Sequence, residues 1–189
     1  MQPRPKVSVV IPCHNAARTL GETLESVFAQ QGTSLELIAV NDASTDGTGA
    51  LLARQPGVAV VSHPKNRGYG AALRTGFSAA RFPLVAFTDA DCQFDLSDLA
   101  TLARLAEEVP VAVGYRADRK DPWRRRFLSR GYNLMARTLL GTRVRDIDCA
   151  LKVFRREALD ELLPDDELPR MLSCIAELAI SEMSRSRPK

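Results

Sequence analysis

The chain lacks most of the features that commit a protein to one environment. No apolar run approaches the about 20 residues that a membrane helix requires. The opening Met1-Gln2-Pro3-Arg4-Pro5-Lys6 leads straight into a strand-like run rather than an apolar leader, so the expectation is a cytoplasmic protein. Cys13, Cys92, Cys149 and Cys174 form no C-x-x-C pair, and neither His14 nor His63 has a partner at ligand spacing. Neither a disulfide framework nor a zinc site is indicated. Internal repeats and low-complexity stretches are missing too. The net charge is only +3 over 189 residues, which does not suggest a nucleic-acid partner. Basic charge is concentrated instead: positions 116–130 hold seven basic and two acidic residues. Such a segment in a nearly balanced chain points to a local anionic ligand or a membrane surface, or to a solvated charged loop.

What is present is regular alternation. Positions 7–11 are a short β-branched run stopped by Pro12, and 20–28 have helical spacing of their apolar residues. The pattern predicts further strands at 35–40, 58–62 and 84–88, with helices at 48–54 and 69–80 between them. A helix over 96–107, a strand at 111–113, a helix over about 124–140, a strand at 150–154 and a short helix at 157–162 complete it. With 45% hydrophobic residues, this is one α/β domain: a mostly parallel sheet covered by helices on both faces. Ligands of such sheets bind outside the carboxyl ends of the strands.

The fourth strand ends in Thr88-Asp89-Ala90-Asp91-Cys92-Gln93. Alternation along a strand puts i and i+2 on one face, so Asp89, Asp91 and Gln93 can present three oxygen donors together. Hard oxygen ligands suit Mg2+ or Mn2+ held against phosphates. An isolated D-x-D reads better as an Asp-rich turn ending a strand, so the weight of a metal site comes from its neighbours.

Those neighbours carry a family pattern. Val9-Val10-Ile11-Pro12-Cys13-His14-Asn15 resembles a V-I-P-x-Y-N opening, and Asn41-Asp42-Ala43-Ser44-Thr45-Asp46-Gly47-Thr48 resembles D-D-x-S-x-D-G-T with Asn41 in place of the first Asp. Asn66-Arg67-Gly68 followed by Ala71, Ala72 and Gly76 is similar to an N-x-G-x-x-x-A-x-x-x-G element, and 89–93 match D-x-D-x-Q. From about residue 7 to 156 the chain resembles the family-2 glycosyltransferases of GT-A fold (nucleotide-diphospho-sugar transferases). Gly114-Tyr115-Arg116, Ser129-Arg130 with Asn133, and 146–154 are most similar to the polyprenyl-phosphate branch, typified by dolichyl-phosphate mannosyltransferases.

That resemblance implies an inverting, metal-dependent transfer of a hexose from a nucleotide-diphosphate sugar, of GDP-mannose or UDP-glucose type, to a polyprenyl phosphate. Alternatives are a family-2 enzyme with a hydroxyl acceptor, or a donor-binding inactive remnant. Pro12, His14, Asn15, Asp42, Asp46, Lys65, Gly68 and Asp89 are expected around the donor. Asp46 serves equally as a helix cap, and Gly68 as a turn residue. Asp89, Asp91 and Gln93 are the expected Mg2+ or Mn2+ ligands. Asp91, Arg116, Arg130 and Lys152 form the expected catalytic set, with Asp146 orienting a cation. Trp123, Phe127 and Leu128 beside Arg124, Arg125 and Arg126 suit peripheral contact with a membrane surface. The catalytic domain is expected over 1–170, with 171–189 a divergent or truncated tail.

Overall fold

Each β-branched run becomes a strand, and each strand sorts its side chains to two faces. The computed structural model describes residues 4–92, 96–114 and 151–162. In order the elements are β1 (Lys6–Cys13), α1 (Leu20–Phe28), β2 (Ser34–Asn41), α2 (Thr48–Leu52), β3 (Val58–Ser62), α3 (Tyr69–Ala79) and β4 (Leu84–Phe87). A 3-10 turn (Leu96–Asp98), α4 (Leu99–Ala106), β5 (Val111–Val113), β6 (Lys152–Arg155) and α5 (Arg156–Leu162) follow.

The strands form one sheet in the order β3-β2-β1-β4-β6-β5. β1 pairs in parallel with both β2 and β4, and β2 with β3. Among the described strands β6 alone runs against its neighbours, Phe87 facing Lys152 on one side and Val113 facing it on the other. The chain therefore winds outward from β1 to β3, crosses back over α3 and continues at β4. The reversal of winding between β1 and β4 is the switch point at which an open α/β sheet leaves a crevice.

Alternation gives two cores. Val7, Val9 and Ile11 of β1 face Leu20, Leu24 and Val27 of α1, on the side that α4 also covers with Leu99 and Ala103. Val10, Ile38, Val40, Val85 and Phe154 face Ala72, Leu73 and Phe77 of α3 on the other. There Phe87 stacks on Phe154 at 6.2 Å between ring centroids, and Phe77 meets Phe87 edge-on at 5.9 Å. α3 comes this close because of Gly76, where an added Cβ would lie 2.2 Å from a Val10 methyl.

At the amino edge, the Ser8 hydroxyl donates to Glu36 Oε1, which also accepts the Arg81 amide at 2.7 Å. Arg81 closes the pair through Nε on Glu36 Oε2 at 2.8 Å. This ties the entry of β4 to β1 and β2.

Candidate active site

The carboxyl ends of β1, β2, β3 and β4 release four loops on one edge, and three non-glycine residues there have positive φ: Asn15 (52°), Ala43 (53°) and Cys92 (57°). Such backbone is uncommon away from glycine and gathers at functional sites.

Ser44, Asp46 and Thr48 grip the loop after β1. The amides of Asn15, Ala16 and Ala17 donate in succession to Ser44 Oγ (3.1 Å), Thr48 Oγ1 (2.9 Å) and Asp46 Oδ2 (3.0 Å). In return Asn15 Oδ1 accepts the Thr45 amide at 2.8 Å. Asp46 Oδ1 accepts the Thr48 amide and hydroxyl, so Asp46 caps α2 from beside its N-cap, Gly47. The N-cap position expected for Asp46 is Gly47's, and Asp46 holds the first helical residue from one place before it. Its carboxyl is held below its ordinary value by the Thr48 hydroxyl and the Ala17 amide.

Asp42 is 2% exposed. Its Oδ1 accepts from His63 Nδ1 (2.7 Å) and the Arg67 amide (2.9 Å), and its Oδ2 accepts the Gly68 amide (2.8 Å). Burial works against ionisation, but these donors outweigh it and keep the carboxyl below its ordinary value. All three of these donors come from residues 63–68, so Asp42 holds that loop. His63 Nε2 meets Thr75 Oγ1 at 2.9 Å, anchoring the same loop to α3.

His14 is exposed at the mouth between these loops. With Nδ1–H donating to the Asp42 carbonyl at 2.8 Å, Nε2 is left to accept amide hydrogens from Asn66 (3.2 Å) and Asn15 (3.3 Å). The imidazole is thus fixed in place with an exposed surface. Pro12 is buried in β1 beneath it, and Lys65 is exposed on the neighbouring loop. Gly68 has φ 87° and ψ 162°, a backbone only glycine adopts readily, as its turn role requires.

The carboxylate pair stands in a turn beyond β4, not on the strand itself. Ala90 is 7% exposed and points into the core, which sends Asp89 and Asp91 outward on either side of it. Tyr69, the first residue of α3, donates its hydroxyl to Asp89 Oδ1 at 2.8 Å. Loss of water around that hydroxyl, then the charges of Asp89 and Asp91, push the phenol above its ordinary value. Both carboxylates thus lie near enough to that hydroxyl for their charges to act on it. Two hard carboxylates at an open edge fit Mg2+ or Mn2+, which take one or two protein carboxylates and complete their shell with water and substrate phosphate. No group of three or more His, Cys, Asp or Glu side chains that would enclose a metal occurs among the described residues.

Cys92 is tied back to α1, its Sγ 3.2 Å from the Thr19 carbonyl and 3.1 Å from Thr23 Oγ1. A cavity of about 170 Å³ opens beside it, lined by Glu22, Thr23, Ser26, Thr88 and Asp89 among others. Cys13 is a packing residue, its thiol pushed up to about 12 by burial.

Lys152 opens β6 at the same edge, 2% exposed, with Nζ 5.3 Å from the Phe87 ring centroid. It lies one strand across from the chain that leads into Asp89. Gln93, Arg116, Arg130, Asp146 and the cluster 123–128 lie outside the described residues, as does the expected tail. Sequence reasoning missed Tyr69, His63 and Thr75 as parts of this edge, and had Asn66 only as a motif position. Tyr69 had one signal, its place directly after Gly68 at the start of a helix next to the D-x-D strand.

Comparison with known proteins follows the same outline. A sequence model of glycosyl transferase family 2 matches residues 8–163. An undecaprenyl-phosphate 4-deoxy-4-formamido-L-arabinose transferase of Serratia proteamaculans is 35% identical over 185 residues, covering 93% of this chain and 57% of that protein. The transferase of the same description from Pseudomonas aeruginosa is 35% identical over 187 residues, covering 93% and 55%. The chain thus spans little more than half the length of these curated relatives. Among solved structures, the mannosyltransferase PcManGT from Pyrobaculum calidifontis, in complex with GDP-Man and Mn2+, is similar with TM-score 0.63 and 28% identity, over 85% of this chain and 47% of that one. Glucosyl-3-phosphoglycerate synthase from Mycobacterium tuberculosis, in complex with UDP, shares the fold with TM-score 0.60 at 23% identity, over 81% and 57%. No helix of the described residues is long and apolar enough to cross a membrane.

Proposed function

The chain belongs to glycosyl transferase family 2 and has the GT-A fold, and we propose that it carries the donor-binding part of an inverting transferase that moves a sugar from a nucleotide diphosphate to a polyprenyl phosphate. The observation that carries this reading is the meeting, at the β1–β4 switch point, of the Asp89 and Asp91 carboxylates with the braced loops around His14 and Asp42. The acceptor class is supported by the relatives, which are named for undecaprenyl phosphate. Their named sugar is a formamido pentose and the mannosyltransferase neighbour was solved with GDP-Man. The donor is therefore proposed as a nucleotide-diphosphate sugar, with hexose and pentose both to be tried.

In this proposal His14, Asn15 and Lys65 face the nucleoside end, while Asp42 and Gly68 shape the loop beside it. A divalent ion held by Asp89 and Asp91, with Gln93 as third donor, would neutralise the diphosphate leaving group. Lys152, with Arg116 and Arg130, supplies positive charge to the leaving diphosphate and the attacking lipid phosphate. A phosphate monoester is already anionic near neutral pH and attacks C1 without a general base, so cations rather than a base are what the acceptor side needs. A single in-line displacement inverts the anomeric centre. Peripheral docking on a membrane through 123–128 belongs to the same proposal, because the lipid phosphate sits in a bilayer.

The test is a panel of UDP- and GDP-linked sugars with Mn2+ and a short polyprenyl phosphate, with the product anomer read by NMR. The expected result is a lipid-phosphate product of inverted configuration. Transfer to a neutral alcohol with none to the lipid phosphate, or retention at C1, would overturn the reading.

A further inference from the structure

Tyr69 is a large side chain left 50% exposed at the start of α3. Its ring does not serve the core; its hydroxyl serves Asp89, at 2.8 Å. The residue is also placed with care from behind. Asp42 binds the Gly68 amide at 2.8 Å, Asn66 Oδ1 shares that amide at 2.9 Å, and Gly68 turns through φ 87° into the first residue of α3. An unbroken path of short contacts therefore runs from the loop beside His14, through Asp42 and Gly68, to Tyr69 and on to Asp89.

A carboxylate's terminal torsion is broad and roughly two-fold, so an aspartate in an exposed turn presents its oxygens in many directions. One charge-assisted O–H bond from a ring fixed at a helix start selects a narrow range of them. Carboxylates that bind metal are commonly held this way, and removing the holding group typically lowers metal affinity about 10–100-fold.

We propose that Tyr69 is a positioning residue: through its hydroxyl it sets the Asp89 carboxylate for a divalent cation and joins the metal end of the donor site to the loop that flanks the nucleoside. This rests on the donor-site reading above, in which Asp89 and Asp91 hold Mg2+ or Mn2+. It commits the chain to a tyrosine whose ring is expendable to the fold but whose oxygen is not expendable to the metal.

The test uses the full chain and Mn2+ as probe, with free Mn2+ followed by its EPR signal in the presence of UDP or GDP. Tyr69→Phe keeps the ring and removes only the hydroxyl. The expected result is about 10-fold weaker Mn2+ binding, an unchanged melting midpoint, and no further loss when the substitution is made in an Asp89→Ala background. Equal Mn2+ affinity in parent and Tyr69→Phe would overturn the proposal. So would an equal loss with and without Asp89, because Tyr69 would then act by another route. If the parent itself binds no Mn2+ with either nucleotide, the donor-site reading falls, and this inference with it; if the parent binds and Tyr69→Phe matches it, only this inference falls.

Discussion

Ala43 sits between the buried Asp42 and the loop-gripping Ser44 with φ 53°. An L side chain in that region costs about 1–2 kcal/mol, whereas glycine there costs about 0.4–1 kcal/mol in extra freedom of the unfolded chain. The difference favours glycine, so Ala43→Gly is expected to stabilise the protein by roughly 0.5–1 kcal/mol, read as a higher urea midpoint with unchanged slope. A lower midpoint would mean that the methyl makes contacts that outweigh the backbone strain. The same stretch shows what was legible residue by residue. Its turn chemistry and its place at a strand end follow from Asp, Ser, Gly and Thr at those spacings. That Ser44, Thr48 and Asp46 each take one of three consecutive amides from a loop about 30 residues earlier does not, because those partners are joined only by the pairing of β1 with β2. Asp42 is the clearest case. A carboxylate at a strand end reads as a ligand, and only the fold brings His63 and the 67–68 amides around it.

The elements were more legible than their contacts. Strands β1 to β4 and helices α1 and α3 fall close to where periodicity puts them, since each apolar run is local and bounded by turn residues. α2 is shorter than 48–54, ending at Leu52 shortly before Pro56-Gly57, and the predicted helix over 96–107 begins as a 3-10 turn before α4. The antiparallel direction of β6 had no local signal, for strand direction depends on which neighbour is chosen. The small residues of α3 do have a local meaning, and Gly76 tests it. Glycine to alanine in a helix gains about 1 kcal/mol of propensity, but here the new Cβ would stand 2.2 Å from Val10 Cγ1 and 3.2 Å from Val40 Cγ2. Overpacking of a tight interface costs about 1–3 kcal/mol, and the backbone of β1 is fixed by strands on both sides, so the clash prevails. Gly76→Ala should lower stability, and Val10→Ala in the same chain should restore part of the loss. If Gly76→Ala is neutral in denaturant titration, α3 shifts on the sheet more easily than its packing implies.

At the scale of the whole sheet, the carboxylates of Glu36, Asp42 and Asp46 are among those that tie elements together at its two edges. Glu36 binds Ser8 and Arg81 at the amino edge, while Asp42 and Asp46 brace the loops at the carboxyl edge. Burial opposes ionisation of Glu36, but the Ser8 hydroxyl and Arg81 outweigh it, so its carboxyl also lies below its ordinary value. All three are depressed in the folded state, which fixes the sign. Their contribution is fully present above the unfolded values near about 4 and is lost as the pH falls through the lower folded values. Both edges should therefore loosen over the same acid range, with a melting midpoint that is level between about pH 5 and 8 and falls steeply below about 4. Asp42→Asn separates ionisation from packing. The amide keeps the shape but cannot carry charge, and its NH2 cannot accept as a carboxylate oxygen does, so the variant is less stable than the parent near neutral pH, and the gap between them narrows as the pH drops toward 3. A gap that stays constant across that range would show that Asp42 holds the 63–68 loop by hydrogen bonding alone, independent of its charge, and would leave the acid sensitivity of the carboxyl edge to Asp46.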